Sequence, residues 1–175
     1  MNYTDTSFFT MLWPNDYCRF LARAGLAGQG LRFVWGGHNI NTRFSHYGVS
    51  AGDYMIPIRV YHQRVYVIAS MKVKNATTRN EYLASHPLDE LLVLHNCANE
   101  ILEGVEGTPI SFDVPVPAQE LEHIRFIGRR GERGIKYVQE GKLVRSVSLE
   151  GVYRLAPSSA QLLMSLVKVG MSVCK

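Results

Sequence analysis

Two β-rich apolar runs a few residues apart constrain the fold of this chain more than any other feature. Tyr54 to Val60 (Tyr-Met-Ile-Pro-Ile-Arg-Val) and Arg64 to Val73 (Arg-Val-Tyr-Val-Ile-Ala-Ser-Met-Lys-Val) are joined by Tyr61-His62-Gln63 and preceded by the turn signal Gly52-Asp53. Such runs predict a hairpin with a rigid apolar wall. Pro57, which cannot donate to a ladder, is expected at an edge or a bulge. Just upstream, Phe33 to Tyr47 is too broken by glycine and asparagine to be regular, yet it is rich in groups that stack on and hydrogen-bond a flat ligand: Trp35, His38, Asn39, Arg43 and Phe44.

The remaining chain reads as short elements. Tyr17 to Leu26 has helical spacing at Phe20, Leu21 and Ala24, with Pro14 ahead of it and Gly25 and Gly28 at its end. Glu81 to Leu94 is helical in part, interrupted by Pro87, with Leu88, Leu91 and Leu92 as its apolar face. Val105 to Pro109 is a turn, Ile110 to Pro117 is extended, and Ala118 to Glu122 makes one helical turn before a strand at Ile124 to Ile127. Lys136 to Val138 and Leu143 to Leu149 predict a hairpin over Glu140-Gly141, and Ser158 caps a C-terminal helix over 159–169.

At 175 residues, 46% hydrophobic and 19% charged, the chain fits a single domain spanning 1–175. No apolar run approaches the ~20 residues of a membrane span, and the first residues lack the pattern of a secretory signal, so a cytoplasmic setting is expected. Cys18, Cys97 and Cys174 are far apart and form no CxxC pair, which argues for reduced thiols and against a zinc site. The net charge of +4 is unevenly placed. Between Arg125 and Arg145, seven cations face two carboxylates, an excess suited to phosphate as well as to a solvated face.

The order of an aromatic strand (Phe8-Phe9-Thr10-Met11-Leu12-Trp13), a helix, a loop with Trp35 and Arg43, Gly52-Asp53-Tyr54 opening a strand, and the strand ending Val67 to Val73 resembles the PUA-like superfamily, especially its EVE and ASCH branches. The resemblance covers about residues 6–75. It implies an α+β fold, a PUA-like mixed β-pseudobarrel of five or six strands with short flanking helices, whose cleft takes nucleic acid or a nucleobase. EVE and related YTH domains hold a modified base in an aromatic cage, and by position Trp13, Trp35, Asn39 and Tyr54 match it.

The residues argue for a base pocket independently. Stacking on an aromatic ring is worth ~1–3 kcal/mol per base, and Asn39 can both donate to and accept from a base edge. Trp13, in an apolar run, suits core filling as well as stacking, whereas Gly36 and Gly37 beside Trp35 leave room for a ligand. Arg43 suits either a phosphate clamp or a pair with Asp53. The expected ligand-binding set is therefore Trp13, Trp35, Asn39, Arg43 and Tyr54, with Arg129, Arg130 and Arg133, set among Gly128, Gly131 and Gly134, on phosphates. No metal or cofactor is called for, because His38 and His46 have no carboxylate set to complete a site. Other readings stay open: a protein-interaction module of the inhibitor or immunity type, or an enzyme built on His95 and Cys97 or on Glu100, Glu103 and Glu106 with Thr108. For the glutamates, the exposed stripe of a helix end is the plainer account.

Overall fold

Alternate residues of the strands find two separate cores, and this organises the chain. The computed structural model describes residues 6–37, 40–93 and 98–173. The chain opens with β1 (Phe8–Leu12), α1 (Asn15–Arg23), β2 (Phe33–Gly36), β3 (Tyr54–Tyr61), β4 (Arg64–Val67), β5 (Met71–Thr78) and α2 (Arg79–Ser85). It continues with β6 (Glu100–Val105), β7 (Val114–Pro115), α3 (Ala118–Leu121), β8 (Arg125–Gly128), β9 (Gly131–Gly134), β10 (Val138–Gln139), β11 (Lys142–Leu143), β12 (Val152–Leu155) and α4 (Pro157–Val173).

β1 runs parallel to β3, with Phe8 opposite Tyr54 and Leu12 opposite Ile58. Because side chains alternate across a strand, Phe9, Met11 and Met55 enter one apolar cluster, with Trp13, Tyr17 and Trp35. Ile56 and Ile58 enter a second, closed by Leu163 and Val167 of α4. The main sheet follows the path β2-β6-β5-β3-β1-β12-β8-β9, with β4 beside β3. It is mixed, with short helices packed around it, so the architecture is α+β. Its terminal strands β2 and β9 do not meet, and no closed barrel forms among the described residues. None of the described helices is long and apolar enough to cross a membrane.

The predicted hairpin is present, turning on His62 and Gln63 at φ 46° and 61°, the left-handed pair of a two-residue loop matched to strand twist. Its second run is not one strand. It breaks at Ile68-Ala69-Ser70, so that β4 pairs with the far half of β3 and β5 with the near end. Pro57 sits at this change of partner on a central strand, not at an edge; its carbonyl accepts from the Ile68 N–H at 2.9 Å and no ladder position demands its missing donor. The Gly52-Asp53 turn is fixed by the buried Asp53 carboxylate, which accepts from the backbone N–H of Ser7 and of Ser50, both at 2.9 Å.

Other expectations are corrected. Residues 33–36, expected to be irregular, form β2, because pairing with β6 satisfies their backbone and buries all four. Glu100 to Val105 is a strand, so Glu100 and Glu103 are not a helical stripe. Leu88 and Leu91 do not face the core; they are 94% and 72% exposed, Leu88 within the short turn Pro87–Asp89 that follows α2 and Leu91 just after it. That turn is anchored by Asp89, whose carboxylate binds the Arg32 guanidinium at 2.9 Å and accepts from the Tyr82 hydroxyl at 2.6 Å.

Candidate functional site

Where β1 gives way to α1 the chain turns sharply at Pro14, which caps the helix with extended backbone (φ −60°, ψ 145°). Here Leu12, Trp13 and Asn15 form one wall of a cleft of about 470 Å³. Asn41 and Thr42 line it as well, as do Ser146, Glu150 and Gly151, which lead into β12. The wall is held by backbone pairing. The Trp13 N–H donates to the Ile58 carbonyl at 2.8 Å, and the Asn15 Nδ2 donates to the Val60 carbonyl at 2.7 Å. Gly151 permits the close approach. A Cβ there would lie 3.0 Å from the Asn41 carbonyl and 3.3 Å from the Tyr153 ring, and its φ of 148° disfavours any side chain.

The cleft wall carries unmet polar groups. The Trp13 Nε1 and the Asn15 Oδ1 are both buried and have no hydrogen-bond partner among the described residues. Leaving such an atom unpaired costs ~1–3 kcal/mol. Behind Trp13 the aromatic groups interlock edge to face: Trp13 on Tyr17 at 5.2 Å and Tyr17 on Trp35 at 5.4 Å, each at 81°. The Tyr17 hydroxyl donates to the Leu92 carbonyl at 2.8 Å, and burial pushes its pKa far above the ordinary phenol range. The Trp35 indole lowers that pKa somewhat, although its own Nε1 also meets no acceptor at hydrogen-bond geometry among the described residues.

The expected site residues fall in three places. Trp13 and Trp35 are in the core, 3% and 8% exposed, Trp13 reaching the cleft as part of its wall. Arg43 is exposed and follows Thr42 directly; it forms no ion pair with Asp53, whose carboxylate is occupied by backbone N–H groups. Tyr54 lies elsewhere, stacked on Phe8 in a separate groove. Arg129 and Arg130 are exposed at the β8–β9 turn. Arg133 is half-buried, its guanidinium 4.7 Å from the Tyr153 ring and 5.7 Å from that of Phe126, which places it on the Tyr153 side of Gly151. Asn39, His38, His95 and Cys97 lie outside the described residues.

Of the three glutamates, Glu100 accepts from the Ser45 N–H at 3.2 Å and Glu106 pairs with Lys72 at 3.9 Å, so both are occupied in surface contacts. Asn15, Ser146 and Glu150 were not singled out by sequence. The available signal was an asparagine directly after Trp-Pro, which also reads as an ordinary helix start.

No family model matches the chain, and no curated protein matches it. Among solved structures it is similar to a hypothetical protein from Leishmania major, at 13% identity and a TM-score of 0.49, covering 97% of this chain and 99% of that one. It is also similar to the MmI1 YTH domain, at 11% identity and 0.45, covering 95% and 98%. A third is the YTH domain of the Zygosaccharomyces rouxii MRB1 protein in complex with N6-methyladenosine RNA, at 12% identity and 0.43, covering 96% and 86%. Likenesses of this degree do not extend to a ligand.

Proposed function

We propose that this protein binds nucleic acid, holding a base in the cleft between Trp13, Asn15 and the Asn41–Thr42 wall. The observation that carries this reading is the buried, unpartnered pair of Trp13 Nε1 and Asn15 Oδ1 on the wall of a cleft of about 470 Å³. Every nucleobase edge presents acceptors and donors, and clefts of ~300–1,000 Å³ suit ligands of this size. The resemblance to PUA-like domains of the EVE and ASCH kind supports the same reading. Trp35 backs the pocket through Tyr17, and Arg43, next to the Asn41–Thr42 wall in sequence, would meet the sugar-phosphate chain; Asn39, outside the described residues, would read the base edge by its amide chemistry. Arg129, Arg130 and Arg133 would take phosphates, positioning the strand without reading it.

Titration of the intrinsic tryptophan fluorescence with short single- and double-stranded RNA and DNA, with and without base modifications, tests this at two salt concentrations. Trp13→Phe keeps an aromatic ring at the position while removing the N–H, and Asn15→Ala removes the acceptor; each is expected to weaken binding about tenfold. Replacing Arg129, Arg130 and Arg133 together by alanine is expected to flatten the slope of log K against log salt by about 2. Wild-type affinity in both cleft variants would end the base-capture reading. Absence of quenching by every oligonucleotide would turn attention to a protein partner.

A further inference from the structure

At the opposite end of β1 lies a second groove, about 540 Å³, between the start of that strand, β12 and α4. Phe8 and Tyr54 stand in it as neighbours across the parallel pair, their rings within 10° of coplanar and 5.1 Å apart. Both are only half-buried. A parallel stack left partly open offers a face on which a third flat ring extends it. Charge then narrows the kind of ring. Arg154, exposed, is the one charged residue among the described residues lining the groove, and no carboxylate lines it. Ile127 forms part of the wall, and the chain passes from it through Gly128 to the exposed Arg129 and Arg130. Glu132 sits opposite Ile127 on β9 and is not part of the lining. The Trp13 cleft has the reverse character, lined by Glu150 and by no cation among the described residues.

An apolar stacking face with a cationic rim suits a base that carries a phosphate. We propose that this groove is a second subsite, in which a nucleotide a few positions along the strand from the captured one stacks on Tyr54 and Phe8 and sets its phosphate against Arg154 and the β8–β9 arginines. The inference rests on the nucleic-acid reading above. The five residue steps from Phe8 to Trp13, at strand rise, separate the two sites by roughly 16 Å. One ligand therefore fills both only if it is a polynucleotide several units long.

The test compares a labelled single-stranded RNA of about nine nucleotides, read by fluorescence anisotropy, with the four uncharged nucleosides, read by tryptophan quenching. Arg154→Ala and Tyr54→Leu are each expected to weaken the nonamer about tenfold while leaving nucleoside binding at the Trp13 cleft unchanged. Arg154 is exposed, so its variant reports even if Tyr54→Leu disturbs packing. If both variants bind the nonamer like wild type while Trp13→Phe weakens it, the second subsite is wrong and the first reading stands. If the wild-type protein binds no nonamer, both fall.

Discussion

Raising the pH from 8 to 11 is expected to remove about 5 kcal/mol of folding stability, a loss comparable to the whole margin of many domains. Three weakly acidic groups, Tyr17, Cys18 and Tyr82, are buried in the apolar cluster that also holds Trp13. Burial pushes the Cys18 thiol up to about 12, an effect partly offset by Arg59. Burial likewise drives Tyr17 and Tyr82 well above the ordinary phenol range; for Tyr82 the hydrogen bond to the Asp89 carboxylate adds to it, since a phenolate would face that charge. In the unfolded chain these groups ionise from the ordinary values of 9.0 for cysteine and 10.0 for tyrosine. Above pH 9 the unfolded state therefore gives up protons that the folded state keeps, and stability falls as pH rises. Cys18 contributes over the two units from pH 9 to 11 and each tyrosine over the unit above 10, together about 5 kcal/mol. Urea unfolding followed by circular dichroism at pH 8, 10 and 11 checks this. A midpoint that stays level across that range would show that the three groups are not buried as the packing places them.

Gly107→Ala should be the most damaging conservative substitution outside the core. A Cβ at Gly107 would lie 1.8 Å from the Leu31 carbonyl oxygen and 2.7 Å from its carbon. Both are backbone atoms and cannot rotate away. They belong to a run of main-chain bonds that ties the α1–β2 connection to the segment after β6. Within it the Leu31 N–H donates to the Thr108 carbonyl at 3.0 Å, and the Gly28 and Ile110 N–H groups donate to the Ile110 and Gln29 carbonyls at 2.8 Å each. Accommodating the methyl means moving that whole crossing apart, so the cost is placed at about 3 kcal/mol, the upper end for overpacking. For a chain of this size that corresponds to a fall in Tm of about 6–12 °C. A fall under 2 °C would mean that the crossing is looser than described. Gly25→Ala makes a useful control: nothing lies within 4 Å of its Cβ, so its cost comes from φ of 78° alone.

The elements that could be read without the structure are those whose cause is local. The turn at Gly52-Asp53, the reversal after Tyr61, the helix after Pro14 and the C-terminal helix follow from local turn signals and apolar spacing, although that last helix starts at Pro157 and so contains Ser158, which was expected to cap it. β2 and β6 were missed because Phe-Val-Trp-Gly and Glu-Ile-Leu-Glu-Gly-Val are strands only by pairing with each other and, for β6, with β5. The break at Ile68 to Ser70 was invisible for the same reason: Ala69 and Ser70 carry no turn signal, and it is the change of partner along β3 that interrupts the run.

The candidate site divides along the same line. That Trp13 and Trp35 stand near polar, glycine-rich loops, and that arginines cluster after residue 125, is a property of the chain alone. Which of these groups share a cleft is not. Parallel pairing of β1 with β3 sets Tyr54 against Phe8 at one end of the strand and Trp13 and Asn15 against Val60 and the Asn41 turn at the other. Local sequence determined where the chain turns and which faces are apolar, because those depend on backbone sterics and on residues a few positions apart. Register between strands some forty-five residues apart in sequence decided that the aromatic groups serve two clefts and not one, because it places them through backbone hydrogen bonds to which no nearby residue contributes.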